Sequence, residues 1–319
     1  MLICSTAVSL LTLLLLEIGT RVFWPEISFQ DTEKSLQRNI VFGNSWGWVP
    51  NASGICFGKR ITIDEFGFRK MISPENYASS WLILGDSVTF GVGVDTEDTY
   101  IQLLQNTMPS VKLWNTAVLG YDFRNYKDVL NHWLVESQSI PNIRKVIMFV
   151  CLNDVDIHDT ADANPHIKVV SSNSIEQVLS FFRRNSKFYI LLKNTVSDRS
   201  KVYFQHDYQL YENESKTFIE AMKIVDEMNT LLRKRNIDFV TVILPYEYQL
   251  RAKEDKYLLP QKRLTTHFKE KGIPYIDTYA DFERAGDKQR NFLYADFSHF
   301  SKNGHRVVAD ILKEQFKAE

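Results

Sequence analysis

Four polar blocks carry residue types that could do chemistry. In chain order they are Gly85-Asp86-Ser87, Gly120, Asn153 and Asp296-Phe-Ser-His299. A serine hydroxyl becomes a useful nucleophile at neutral pH when an adjacent base removes its proton, and a histidine oriented by a carboxylate is such a base. Asp296 precedes His299 by three residues, so its carboxylate can reach the imidazole across a tight loop. The blocks predict acyl transfer with Ser87 as nucleophile and His299 with Asp296 as its acid-base pair.

The oxygen that becomes negatively charged during such an attack needs preorganised hydrogen-bond donors. We assign this role to the backbone amides of Ser87 and Gly120 and to the side-chain amide of Asn153. A glycine suits it because a backbone amide without a side chain can approach a substrate closely. Each assignment has an ordinary alternative, since Gly120 could be a simple turn residue and Asn153 a turn-forming asparagine at the end of a strand.

Ser87 and His299 also have competing structural interpretations. A serine before a helix often caps it, so a Gly-Asp-Ser sequence alone would favour a helix cap over a nucleophile. Gly85 and Gly91, however, permit the sharp strand-to-helix turn that exposes a nucleophile. A second histidine, His305, follows a helix start at Ser301 and is expected to be a packed or solvated helix residue.

Composition limits the possible classes. The 319 residues are 44% apolar and 24% charged with a net charge of −1, which favours a globular protein and gives no reason to expect a nucleic-acid partner. Cys4, Cys56 and Cys151 are too widely spaced for a zinc site or a disulfide scaffold, so we expect neither a metal nor another cofactor. Cys151 ends an apolar run without an adjacent basic residue, which indicates a packing role.

Two further clusters attract attention. One is acidic with a single histidine, and its spacing matches no cation-binding loop, so we expect a solvated loop; its members are Asp154, Asp156, His158, Asp159 and Asp162. The other is the aromatic stretch of residues 181–189, which could line an acyl pocket. Aromatic residues at helical spacing more often pack into a core, and we expect packing here.

The N-terminus is predicted to be an uncleaved transmembrane anchor over residues 1–24. Residues 1–16 contain no charged side chain, and with Glu17 and Arg21 as the only interruptions, ~20 residues can cross ~30 Å of hydrocarbon. A signal peptide usually has a basic residue before its apolar run and a small-x-small cleavage site after it, and the sequence shows neither feature. A buried core helix is the alternative. Arg21, Lys34 and Arg38 follow the span, and this charge count favours a cytoplasmic catalytic part.

The rest of the chain must position the polar blocks. Residues 25–79 contain turn residues and short alternating segments, which predict a β-rich lead-in. Short apolar runs then alternate with helical patterns, which predicts a parallel sheet covered on both faces, a three-layer α/β/α sandwich. The predicted strands are 81–84, 111–114, 145–150, 238–244 and 273–276, and the predicted helices are 97–108, 126–137, 214–235, 261–271 and 302–316.

Residues 155–212 fit this alternation poorly and are predicted to form an insertion over the carboxyl edge of the sheet. The polar blocks follow successive strands, and parallel sheets bind ligands at that edge.

The four blocks, in this order, resemble those of the SGNH (GDSL) hydrolase family. The resemblance covers about residues 80–319 and implies a flavodoxin-like five-stranded parallel sheet, a Ser-His-Asp triad and a Ser/Gly/Asn oxyanion hole. One position departs from the family, which usually has glycine two residues before the asparagine where this chain has Cys151. That departure raises a question about the backbone of the Asn153 loop.

A Gly67-Phe68-Arg69 lead-in is similar to that of membrane-anchored bacterial members. This implies an esterase that removes or transfers a short acyl group, often acetyl, on a cell-surface carbohydrate outside the cytoplasm, in opposition to the charge count. Two alternatives stay open: a lipase or thioesterase acting on longer acyl chains near the bilayer, and a catalytically idle, membrane-tethered glycan-binding module.

Overall fold

The computed structural model describes residues 2–43, 45–157, 174–212, 215–287 and 289–317. The chain begins with the helix α1 (Leu2–Phe23), most of whose apolar side chains are exposed. Two antiparallel hairpins follow in the segment predicted to be β-rich; they pair β1 (Gln37–Phe42) with β2 (Ser45–Trp48) and β3 (Ser53–Cys56) with β4 (Lys59–Thr62).

A five-stranded parallel sheet forms the centre of the molecule. Its strands are β5 (Ser79–Leu84), β6 (Val111–Asn115), β7 (Ile143–Val150), β8 (Asp238–Ile243) and β9 (Tyr275–Asp277). They lie in the order β6-β5-β7-β8-β9, which is the flavodoxin-like order. The sequence prediction of five parallel strands in a three-layer α/β/α sandwich is confirmed, and their apolar runs are buried because helices cover both faces.

Helices connect and cover these strands. They are α2 (Ser87–Phe90), α3 (Tyr100–Gln105), α4 (Phe123–Asn131), α5 (Ser174–Asn185), α6 (Lys187–Val196), α7 (Arg199–Gln209), α8 (Lys216–Lys234), α9 (Glu247–Ala252), α10 (Leu259–Glu270), α11 (Tyr279–Arg284) and α12 (Lys302–Gln315). Side chains of α4, α8 and α10 pack in the core on one face of the sheet, and side chains of α3 and α12 pack in the core on the other.

The five predicted helices are present with shifted ends, and local capping explains the shifts. The first begins at Tyr100 because the Thr99 hydroxyl accepts the backbone N–H of Gln102. The second begins at Phe123 because Asp122 forms a capping box there, and it continues as a π-helical turn over His132–Glu136.

The predicted insertion contains α5, α6 and α7; residues 158–173 lie outside the described part of the chain. The expectation that its aromatic stretch packs into a core is wrong for two residues. Phe181 and Phe182 are 61% and 41% exposed. A polar residue of the same helix, Arg184, contacts the body of the protein instead, with its Nε 3.0 Å from Asp31 Oδ2.

The lead-in joins the sheet through a buried arginine. Arg69 is 2% exposed, and its guanidinium donates to the backbone carbonyl oxygens of Phe90, Gly91 and Val94 at 2.5–2.8 Å. Burial lowers the pKa of Arg69 to about 10, so the side chain stays charged at neutral pH. The arginine thereby fixes the segment that directly follows α2.

Candidate active site

Ser87 stands at a sharp turn between β5 and α2. A Cβ atom on Gly85 would lie 2.0 Å from Thr89 Oγ1, so only glycine fits this turn. The cap of α2 is Asp86, whose side chain accepts the backbone N–H of Val88 at 2.9 Å. Ser87 is the first helical residue, and its hydroxyl is therefore not used as a helix cap.

Ser87, His299 and Asp296 form a continuous hydrogen-bonded chain. His299 Nε2 lies 2.8 Å from Ser87 Oγ, and His299 Nδ1 lies 2.8 Å from Asp296 Oδ2. The other carboxylate oxygen of Asp296 accepts the backbone N–H groups of Ser298 and His299 at 3.0 and 3.2 Å. The carboxylate thus holds the imidazole in place and closes the loop that carries it.

The charges of this pair stabilise each other. Burial alone would raise the pKa of Asp296, but the charge and hydrogen bond of His299 lower it to about 2. Burial alone would lower the pKa of His299, and the neighbouring Asp296 carboxylate more than offsets this and raises it. Asp296 is therefore ionised at neutral pH and favours a proton on the imidazole.

His305 is a helix residue, as predicted, and of the two predicted alternatives it is packed rather than solvated. It is 1% exposed within α12, and its Nδ1 accepts the backbone N–H of Tyr100 at 3.2 Å. Burial lowers the pKa of His305 to about 3, so its ring is neutral. Its role is to satisfy a free amide at the start of α3.

The residues predicted to bind an oxyanion follow the two strands that flank β5. Gly120 comes after β6 with φ of 75°, a conformation that favours glycine, and Asn153 comes after β7 in a 3₁₀ turn over Leu152–Val155. The loop before Gly120 is held by the lead-in, because the Trp48 and Trp46 indoles donate to the carbonyl oxygens of Ala117 and Leu119 at 3.2 and 3.1 Å.

Cys151, at the position where the family that the sequence resembles usually has glycine, is compatible with this loop. Cys151 has φ of −81° and ψ of 152°, an extended conformation that any residue adopts. Its side chain is buried, and burial raises the pKa of the thiol well above its usual value, which agrees with the predicted packing role.

The interpretation of Asp154 as part of a solvated loop is wrong. Asp154 is fully buried, and its Oδ2 accepts the Cys151 backbone N–H and the Tyr126 hydroxyl, both at 2.9 Å. This carboxylate closes the turn that presents Asn153. Asp156 is half-buried, whereas residues 158, 159 and 162 of that cluster lie outside the described residues. Within the described segments, no three His, Cys, Asp or Glu side chains form a metal-binding group.

A tyrosine that sequence reasoning missed contacts Asn153. The Tyr246 hydroxyl lies 3.0 Å from Asn153 Oδ1 and 2.6 Å from Asp207 Oδ2 in α7, and both oxygens share its single proton as acceptors. Because the amide oxygen of Asn153 faces Tyr246, its NH₂ group is left to donate elsewhere. Tyr246 follows β8, so its position after an apolar run was the available signal.

A cleft of about 1050 Å³ adjoins the histidine loop. Phe57, from the turn between β3 and β4, lines it and packs edge-on against the His299 ring with centroids 5.3 Å apart. From Phe57 and Phe297 the cleft extends to Pro25 and Lys187, near the end of α1.

Comparison with known proteins shows that the fold of this chain is similar to several solved structures. No family model and no curated protein matches the sequence. The chain is similar to a member of the lipolytic protein G-D-S-L family from Veillonella parvula, with 15% identity, coverage of 76% of this chain and 100% of that one, and a TM-score of 0.45. It is also similar to a catalytic mutant of Axe2, an acetylxylan esterase from Geobacillus stearothermophilus (12% identity, 76% and 96% coverage, TM-score 0.45), and to TesA (12%, 75% and 98%, 0.46).

These similarities are distant, and the reaction that this chain catalyses is therefore inferred from the geometry of its own site.

The pairing of His299 with Asp296 can be tested by NMR titration. The imidazole of His299 should titrate above the usual value of 6.5, and its pKa should fall in the Asp296→Asn variant because the main charge that offsets the effect of burial is then lost. His305 serves as an internal control, since it should stay neutral in both proteins. An unchanged pKa of His299 in the variant would exclude Asp296 as its charge partner.

Proposed function

We propose that the chain is a serine esterase of the SGNH (GDSL) hydrolase type, with Ser87, His299 and Asp296 as its catalytic triad. The observation that carries this proposal is the hydrogen-bonded chain from Ser87 Oγ through the imidazole to Asp296, with both contacts at 2.8 Å. A base within hydrogen-bond reach of a serine, itself oriented by a buried carboxylate, is the arrangement that acyl transfer requires.

The first half of the reaction forms an acyl-enzyme. Ser87 Oγ attacks the ester carbonyl carbon while His299 Nε2 takes the hydroxyl proton, and Asp296 stabilises the resulting imidazolium. The amides of Ser87, Gly120 and Asn153 donate to the oxyanion. The carbon–oxygen bond to the leaving alcohol then breaks, and His299 returns the proton to that alcohol.

The second half releases the acyl group. A water molecule gives a proton to His299 and attacks the acyl carbon, the bond to Ser87 breaks, and the imidazolium reprotonates the serine. If a sugar hydroxyl takes the place of water, the same steps transfer the acyl group. A catalytically idle glycan-binding module has no use for this complete arrangement.

The substrate we propose is a short O-acyl group, such as acetyl, on a cell-surface carbohydrate. The resemblance of Gly67-Phe68-Arg69 to the lead-in of membrane-anchored bacterial members supports it, and Arg69 fixes the backbone after α2. A lipase or thioesterase acting on longer acyl chains is the second candidate, favoured by the extension of the cleft toward the end of α1.

We further propose that α1 anchors the protein in a membrane, with the catalytic part on the periplasmic side, as the resemblance implies. Residues Ser5–Phe23 are long and apolar enough to span a membrane, with a mean hydropathy of 1.6 and nearly all of the segment exposed. A signal sequence has the same features. Two contacts with the rest of the protein support retention of the helix: Glu17 accepts the backbone N–H of Lys187 at the start of α6, and Arg21 donates to the carbonyl oxygen of Asn185 at the end of α5.

Ester hydrolysis by the full chain in detergent tests the mechanism and the acyl length together. On nitrophenyl acetate, the Ser87→Ala variant should lose at least ~10³-fold in kcat, because the nucleophile is gone. The nitrophenyl ester of acetate should be hydrolysed faster than that of octanoate if the natural substrate carries a short acyl group. Equal rates for the variant and the parent protein would refute the serine mechanism, and preference for octanoate would favour the lipase alternative.

The role of Asn153 can be tested through its tyrosine partner. The Tyr246→Phe variant should lose roughly tenfold in kcat with KM changed less than about twofold, because a less firmly held Asn153 amide stabilises the transition state less well. Tyr248→Phe, two residues further along the chain in α9, is the matched control, since the Tyr248 ring packs against Tyr257 with centroids 5.4 Å apart. Equal effects of the two substitutions, or a rise in KM alone, would contradict this role.

A further inference from the structure

The helix α5 exposes its apolar side. Val178, Phe181 and Phe182 are 54%, 61% and 41% exposed. At about 100° per residue these three positions fall on one side of the helix, and Ser180 and Arg184 fall on the other. An exposed stripe of this kind on a globular protein marks a surface for contact with a partner or a membrane.

The polar side of α5 is used by the protein itself. Arg184 Nε lies 3.0 Å from Asp31 Oδ2 in the lead-in, and Arg184 Nη2 donates to Ser180 Oγ at 3.1 Å. The helix is thus fixed with its polar side toward the body and its apolar side outward, the reverse of the usual orientation of an amphipathic helix.

The position of this apolar side is set by α1. Glu17 accepts the Ser186 hydroxyl at 2.8 Å and the backbone N–H groups of Lys187 and Phe188 at 3.1 and 3.0 Å. Arg21 Nη2 donates to the carbonyl oxygen of Asn185 at 2.9 Å. The corner between α5 and α6 is therefore held against the first charged residues that follow the apolar part of α1.

We propose that the apolar face of α5 is seated in the interfacial layer of the same lipid bilayer that α1 spans. This rests on the anchor stated under the proposed function. The occupant is lipid because the face adjoins the end of a helix whose apolar side chains are themselves exposed.

This contact sets the distance between the bilayer and the site. From Lys187, beside Glu17, α6 runs to Asn194, which is seven residues or about 10 Å along the helix. Asn194 Nδ2 donates to the carbonyl oxygens of Tyr294 and Ala295, directly before Asp296. The short helix α6 thus connects the anchored corner to the catalytic loop, so the esters that reach Ser87 are those presented at the membrane surface.

Lipid-depth quenching of the full chain in vesicles of phosphatidylcholine and phosphatidylglycerol tests the proposal. In a Cys4→Ser background, in which Cys56 and Cys151 are buried, a single cysteine is introduced as Val178→Cys or Ser180→Cys and labelled with an environment-sensitive fluorophore. The two positions are about 200° apart around α5, so they form a matched pair.

The label at position 178 should be quenched several-fold more by a nitroxide-bearing lipid than the label at position 180, and less by aqueous iodide. Equal quenching at both positions by either agent would overturn the proposal. Hydrolysis of nitrophenyl acetate in detergent is measured separately: Val178→Asp should retain the parent rate, because position 178 lies outside the triad. If the proposed esterase function is wrong, the parent protein will not hydrolyse nitrophenyl acetate, and this result does not depend on the quenching pattern.

Discussion

The hydrogen bond between Ser87 and His299 joins residues 212 positions apart and is the constraint on which the site depends. The sheet order fixes Ser87 at the end of an inner strand, but the histidine lies on a loop that needs separate support. That support comes from the rest of the chain. Gln30 of the lead-in donates to the Ala295 carbonyl oxygen at 2.6 Å, and Asn194 of the insertion donates to the same oxygen at 3.3 Å. Gln30 and Asn194 therefore both support the loop that carries the base.

Three buried carboxyl groups near the nucleophile behave differently because their partners differ. Burial raises the pKa of Asp86 and raises that of Asp154 well above its usual value, to which the nearby Asp86 charge also contributes. Asp296 is equally buried, yet His299 offsets the cost and lowers its pKa to about 2. Of the three, Asp296 is thus the one suited to stabilise an imidazolium, while Asp154 closes the turn that presents Asn153.

Much of the fold was predictable because strands covered on both faces are continuous apolar runs and because the polar blocks of the proposed site follow them. Ser87 and His299 could be paired on residue type and order alone. Arg69 and Tyr246 could not be assigned roles, since their partners are backbone carbonyls and an amide distant in sequence. Phe181 was misjudged for a related reason: helical spacing shows that an apolar face exists but not whether protein or another medium covers it. Asp154 was expected to be solvated, because the sequence does not show that a charged residue is buried and accepts hydrogen bonds inside the protein.

The most direct test of the triad is the site of the covalent intermediate. The full chain is mixed with nitrophenyl acetate, quenched in acid within the first turnover, digested and analysed by mass spectrometry. A hydroxyl activated by His299 should carry one acetyl group on the peptide that contains Ser87, and the Asp296→Asn variant should accumulate it more slowly. Acetylation of Cys151, or full turnover with an unmodified Ser87 in every quenched sample, would contradict the account.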